Sequence, residues 1–311
     1  MRVISLLPSA TEIVAALGGL EHLVGVTHAC DHPPMVDSRV RVTTTAVDGD
    51  AAPGEVDAQV RRIFDAGQPL YTLLEDRIRA LRPDLLITQA LCDVCAVTET
   101  DVRALAARLE PPPTVLTLDA TSLDGVLDDI ARAGAALGLE SEAEELLIGA
   151  RARMRRVHDT LESAKAPRPR VAVIEWGEPI YAAGHWVPEM VHRAGGVDTL
   201  AKRGEHSVVV TRDAVRDADP EVILIAPCGY DLARAQQEGE RLLALDGWAW
   251  ARTRRVYAID ANAFASRPGP RLVDGIEVFA RCFSPALFSP LDTGRAAPLT
   301  TAARAAFAIP A

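Results

Sequence analysis

Leu81-Arg82-Pro83-Asp84-Leu85-Leu86-Ile87 in the first half of the chain is echoed by Ala218-Asp219-Pro220-Glu221-Val222-Ile223-Leu224 in the second. Each stretch reads as a proline-marked stop, an acid, and an apolar run of the kind that forms a buried strand. A second pair agrees, Leu17-Gly18-Gly19 with Ala194-Gly195-Gly196, where glycines end a helical pattern. The interval between matched pieces is not constant, so two similar lobes are expected rather than a tandem array.

Outward from the first motif, apolar strands are expected at Val3–Leu7, Leu23–Val26, Val40–Thr43, Leu85–Thr88 and Val115–Leu118. Helical patterns lie between them. One follows Ser9-Ala10-Thr11-Glu12, read as a capping box; others cover Leu73–Leu81 and Thr98–Leu109. The stretch before Gly67 reads as irregular and acidic. Around the second motif, strands are expected at Val171–Glu175, Val222–Ala226 and Val256–Ile259, with helices at Val187–Arg193 and Leu272–Cys282. Between the halves lie two helical stretches, Ser122–Leu137 and Ser141–Ser163, the later one opened by a second capping box at Ser141 and Glu144. Strand–helix alternation with continuously apolar strands specifies parallel sheets covered by helices. The expected division is therefore 1–121, an N-terminal α/β lobe; 122–168, a helical segment; 169–283, a C-terminal α/β lobe; and 284–311, a Pro/Ala-rich tail with little structure of its own.

The chain has 311 residues and a formal charge of -10, from 33 Lys+Arg against 43 Asp+Glu. All of its basic residues except Lys165 and Lys202 are arginine, scattered without a stripe, so nucleic acid is not an expected partner. No run approaches the ~18 apolar residues of a membrane span. The first strand begins almost at Met1 and the five cysteines are an odd number, from which a cytoplasmic location is expected.

Open α/β sheets bind ligands beyond the carboxyl ends of their strands, and two such lobes are expected to face each other across a cleft. The loops at those ends supply the candidate ligand contacts. In the first half these are Pro8, Ser9, His28, Cys30, Asp31, Cys92, Asp93 and Cys95. In the second they are Trp176, His185, Trp186, Cys228, Tyr230, Phe264 and Arg267. Aromatic walls with a few polar groups suit a large, flat, partly apolar ligand.

The order of Val3-Ile4-Ser5-Leu6-Leu7-Pro8-Ser9-Ala10-Thr11-Glu12, Leu23-Val24-Gly25-Val26-Thr27, the Leu81–Ile87 motif, Ala194-Gly195-Gly196-Val197 and Ser266-Arg267-Pro268-Gly269-Pro270-Arg271 resembles a known family. It is that of class III substrate-binding proteins of ABC importers, the helical-backbone metal receptor type, and its cobalamin-binding branch above all. The resemblance covers about residues 1–283. It implies an α/β fold of two Rossmann-like lobes with parallel sheets bridged by one long α-helix. It also implies cobalamin or another tetrapyrrole or metal chelate as the ligand, captured without chemistry. An ABC permease is implied as partner, docked through acids that match Glu75, Asp76 and Asp213.

The cysteines keep other readings open. Cys30, Cys92 and Cys95 with His28 or His32 offer soft ligands for zinc or iron, or for the metal of a tetrapyrrole. Cys92 and Cys95 form a Cys-x-x-Cys that a redox dithiol would use. A metal- or thiol-dependent enzyme using Cys30, Cys92 and Cys95 is thus the alternative class, although no nucleophile elbow, phosphate loop or dinucleotide fingerprint occurs. A third reading is an exported importer subunit whose signal has been removed.

Overall fold

The structure is a computed structural model that describes residues 1–90, 97–290 and 294–308. It divides into two compact units, residues 1–120 with 124–149, and residues 121–123 with 150–311. No described helix is long and apolar enough to cross a membrane.

In the first unit a parallel sheet is built from β1 (Val3–Ser5), β2 (Leu23–Val26), β3 (Val40–Arg41), β6 (Leu85–Gln89) and β7 (Thr114–Leu118), in the order β3-β2-β1-β6-β7. A two-stranded antiparallel ribbon, β4 (Thr43–Thr45) with β5 (Tyr71–Leu73), stands beside it. The helices are α1 (Pro8–Ala16), α2 (Pro53–Asp65), α3 (Glu75–Leu81), α4 (Glu99–Ala106), α5 (Leu123–Leu137) and α6 (Glu140–Ser163). Ile4, Leu6, Ile78, Leu86, Val102 and Leu105 form one core between sheet and helices. The division between units falls within α6, after Gly149.

The second unit centres on β8 (Arg170–Gly177), flanked by β9 (Ile180–Ala182), β10 (Val197–Asp198) and β11 (Val208–Val209) and followed by β12 (Val222–Ile225), β13 (Arg255–Ile259) and β14 (Ala296–Pro298). The order is β11-β9-β8-β12-β13-β14, with β10 paired to β8. Strands β8, β10, β12 and β13 pair in parallel, while β9, β11 and β14 run antiparallel to their neighbours. Its helices are α7 (Val187–Arg193), α8 (Arg212–Asp217), α9 (Leu232–Ala244), α10 (Ala261–Phe264), α11 (Leu272–Phe283) and α12 (Thr301–Phe307).

The echoed motif folds alike in both units. Arg82 (φ 42°) and Asp219 (φ 46°) each take a left-handed backbone as the preceding helix ends, and the proline follows. The acid then anchors the start of the adjoining strand: Asp84 accepts from the Arg2 amide at 2.6 Å, and Glu221 from the Arg170 amide at 2.9 Å. The same two arginines donate back to the turn through Nε, to the carbonyls of Leu81 (2.7 Å) and Asp219 (2.8 Å).

Several expectations need correction. Helix α1 begins at Pro8 with Leu7 as its cap and no side-chain bond there, so Ser9 and Glu12 lie buried inside the helix instead of capping it. Proline at the first position removes one of the four unpaired N–H groups of the helix start and so lessens the demand for a cap. Helix α6 begins at Glu140, one residue before Ser141. The segment before Gly67 contains α2, whose only buried residue is Pro53. Val56, Val60 and Ile63 recur there at helical spacing and are half-buried, a narrow stripe that the polar residues between them obscure. The tail is also structured: β14 completes the second sheet, and the Phe307 ring packs on Tyr257 with centroids 4.9 Å apart. Buried Arg281 holds this segment through the carbonyls of Phe288 and Phe307.

Candidate functional site

At the carboxyl ends of β1 and β2 the described residues form a polar knot. The Cys30 thiol, 2% exposed, shares hydrogen bonds with the hydroxyls of Thr11 (3.0 Å) and Thr27 (3.4 Å). Thr11 also donates to Ser5 at 2.8 Å. Arg41 Nη1 donates to the carbonyls of Thr27 (3.0 Å) and Cys30 (2.6 Å), which fixes the loop. His28 is half-buried; its Nδ1 meets Thr43 Oγ1 at 2.8 Å and its ring stacks on Tyr71 at 5.5 Å. Burial lowers its pKa, helped by the positive charge of Arg41, so the imidazole is held neutral. Pro8 is half-exposed, Ser9 buried and Asp31 exposed. Cys92, Asp93 and Cys95 lie outside the described residues. Among the described residues no group of three or more His, Cys, Asp or Glu is placed to hold a metal ion.

At the carboxyl ends of β8 and β12, Trp176 and Tyr230 meet edge to face, centroids 5.5 Å apart, and the Arg234 guanidinium lies 3.9 Å over the Tyr230 ring. The Trp176 indole donates to the Glu178 carbonyl at 3.1 Å, which leaves its half-buried ring as a fixed aromatic surface. Such contacts combine ring-edge attraction with cation–π attraction. Glu175 accepts from Ser207 Oγ at 2.9 and 3.0 Å. Cys228 is exposed.

Trp186 is 5% exposed and donates from Nε1 to the Ala265 carbonyl at 2.7 Å, so this indole serves packing at the start of α7. Its neighbour His185 is half-buried and meets His206, with Nε2 and Nδ1 3.1 Å apart. Burial and the neighbouring imidazole both lower the His185 pKa. Phe264 lies under the Arg295 guanidinium at 5.4 Å. Arg267 and Arg271 contribute their charge to Asp260, whose pKa burial nevertheless raises. Asp274 and Glu277 are engaged by Arg153, at 2.9 and 2.6 Å. The acids matched to permease docking are exposed first-turn residues: Glu75 pairs with Arg108 at 2.7 Å, Asp76 follows it, and Asp213 pairs with Arg216 at 2.9 Å.

Sequence reasoning missed Tyr71, Thr43 and His206, brought in by tertiary folding, and Arg234, brought in locally. For Arg234 a local signal existed: Asp231 caps α9 and places Arg234 one turn from Tyr230.

A family profile described as periplasmic binding protein matches residues 3–263. The chain is 25% identical over 295 residues to an uncharacterized ABC transporter substrate-binding lipoprotein of Bacillus subtilis, spanning 92% of this chain and 81% of the relative. It is 26% identical over 292 residues to a cobalamin-binding protein of Halobacterium salinarum, spanning 91% and 69%. Among solved structures, a periplasmic heme binding protein from Pseudomonas aeruginosa gives a TM-score of 0.71 at 25% identity, with 96% and 98% covered. These relatives, a lipoprotein and a periplasmic protein, overturn the expected cytoplasmic location. A strand near Met1 and an odd cysteine count report on fold and chemistry, and they carry no address.

Proposed function

We propose, because this chain belongs to the periplasmic binding protein family in its class III, ABC-importer form, that its cargo is a tetrapyrrole-type metal chelate, with cobalamin first and haem second. A member of this family binds a small ligand and delivers it to a permease, so capture here is reversible and makes or breaks no covalent bond. The observation that carries the ligand class is the half-buried Trp176 ring, fixed by the Glu178 carbonyl and backed by buried Tyr230, with the Arg234 cation alongside. A flat conjugated macrocycle with polar side groups matches such a surface. The naming of a cobalamin-binding relative and a heme binding structural neighbour supports the same class. Neutral His28, with Nδ1 engaged by Thr43, offers its other ring nitrogen to the central metal. That nitrogen favours haem as the second reading, since iron accepts imidazole readily.

The test is titration of the purified chain with hydroxocobalamin and, separately, hemin, followed by visible spectra and gel filtration. One pigment should co-elute with the protein and shift its absorption bands. Trp176→Ala should weaken that binding about tenfold, the scale of one aromatic contact. Elution of both pigments free of the protein would exclude the tetrapyrrole class.

A further inference from the structure

We infer that His185 and His206 form a two-imidazole chelating site for a late first-row divalent metal, Ni(II) or Cu(II), built entirely within the second unit. The two nitrogens, Nε2 of His185 and Nδ1 of His206, lie 3.1 Å apart with their rings perpendicular. Nitrogens held about 2.0–2.1 Å from one ion at that separation subtend about 95–102° at the metal. That is close to the cis angle of tetragonal coordination, which Ni(II) and Cu(II) favour, and short of the tetrahedral angle that zinc favours.

The frame around the pair is fixed from both sides. The His185 amide donates to the Glu205 carbonyl at 2.6 Å, and the Gly204 amide donates to the His185 carbonyl at 2.9 Å. Gly184 donates to Ser207 Oγ at 3.1 Å, and a Cβ at Gly184 would lie 2.4 Å from the Ser207 nitrogen, so only glycine permits this approach. His185 itself carries φ 55°, a left-handed backbone that a residue with a Cβ seldom adopts. Such strain persists where surrounding contacts over-determine it, and here they aim one imidazole at the other. A donor pair fixed before the ion arrives loses little freedom on binding.

Without metal, one of the two nitrogens carries the proton shared between the rings. A neutral imidazole can carry that proton on its other nitrogen, so the ion takes the vacated lone pair with no change in the charge of either ring. His206 is exposed, which leaves the remaining coordination positions to water. The site needs no tetrapyrrole and does not depend on that reading.

The experiment uses the whole chain without an affinity tag, labelled with 15N-histidine and titrated with Ni(II) alone. Nickel is preferred to copper because it does not oxidise the exposed Cys228 thiol. Calorimetry should give one ion per chain, and paramagnetic broadening should strike the His185 and His206 ring signals first. His206→Ala should weaken binding at least tenfold. His185→Asn, which tolerates the left-handed backbone, should do the same while circular dichroism stays that of the parent. Unaltered affinity in the double variant, or first broadening at any other histidine, would overturn the assignment.

Discussion

Asp198 shows how one carboxyl couples the second unit to pH. Its Oδ1 accepts from the amides of Leu200 and Ala201, each at 2.9 Å, while Oδ2 is buried with no partner. Burial therefore raises its pKa to about 6. An unfolded aspartate titrates near 3.9, so below about pH 4 both states are protonated and nothing is lost. Between about pH 4 and 6 the unfolded chain gives up its proton first, and stability falls by up to roughly 3 kcal/mol. Asp198→Asn keeps an oxygen for the two amides and removes the charge. It should match the parent at pH 4 and exceed it by about 1–3 kcal/mol at pH 7.5 in urea unfolding. An equal difference at both pH values would discard this account. At this scale the site was only half legible. His28, Tyr230 and Trp176 could be picked out because they follow strands, but the His28 partners Thr43 and Tyr71 are set by folding. Cys30 reads as an outward ligand, yet two threonine hydroxyls satisfy its thiol inside the protein.

The buried strands were the legible elements, because a strand covered on both faces is mostly apolar, as β12 is throughout and β6 is over Leu85–Ile87. Helices were legible in proportion to the face they bury. Helix α11, buried along most of its length, was found nearly to its ends, while α2, which buries only Pro53, was not; α9 is the exception, missed although it buries Ala235, Glu238, Gly239 and Leu242. Strands β9, β10 and β11, two or three residues each, are too short for alternation to register. Close packing at α11 gives a prediction with a decided sign. Gly→Ala inside a helix ordinarily stabilises by about 1 kcal/mol. At Gly275, however, a Cβ would lie 2.0 Å from the Phe264 carbonyl oxygen and 2.6 Å from Met190 Cε. Overpacking should win, and Gly275→Ala should lose about 2–3 kcal/mol in denaturant unfolding. A neutral or stabilising result would mean that α10 yields to the methyl group.

For the molecule as a whole, the two-lobed α/β plan was visible in the repeated proline–acid–strand motif, and the compartment was not, since neither core packing nor thiol count encodes export. Permease engagement belongs to this scale. If Glu75 and Asp213 are the docking acids, Glu75→Arg with Asp213→Arg should abolish uptake in vesicles carrying the cognate permease, while ligand affinity in solution stays that of the parent. Undiminished uptake would remove both residues from the docking surface. The antiparallel pairing of β14 with β13 has a bearing on biosynthesis. Until residues 296–298 have left the ribosome, β13 has a bare flank with ladder groups open to any passing strand. Until then the nascent polypeptide carries a seam still unsewn, and codons 296–298 supply the stitch.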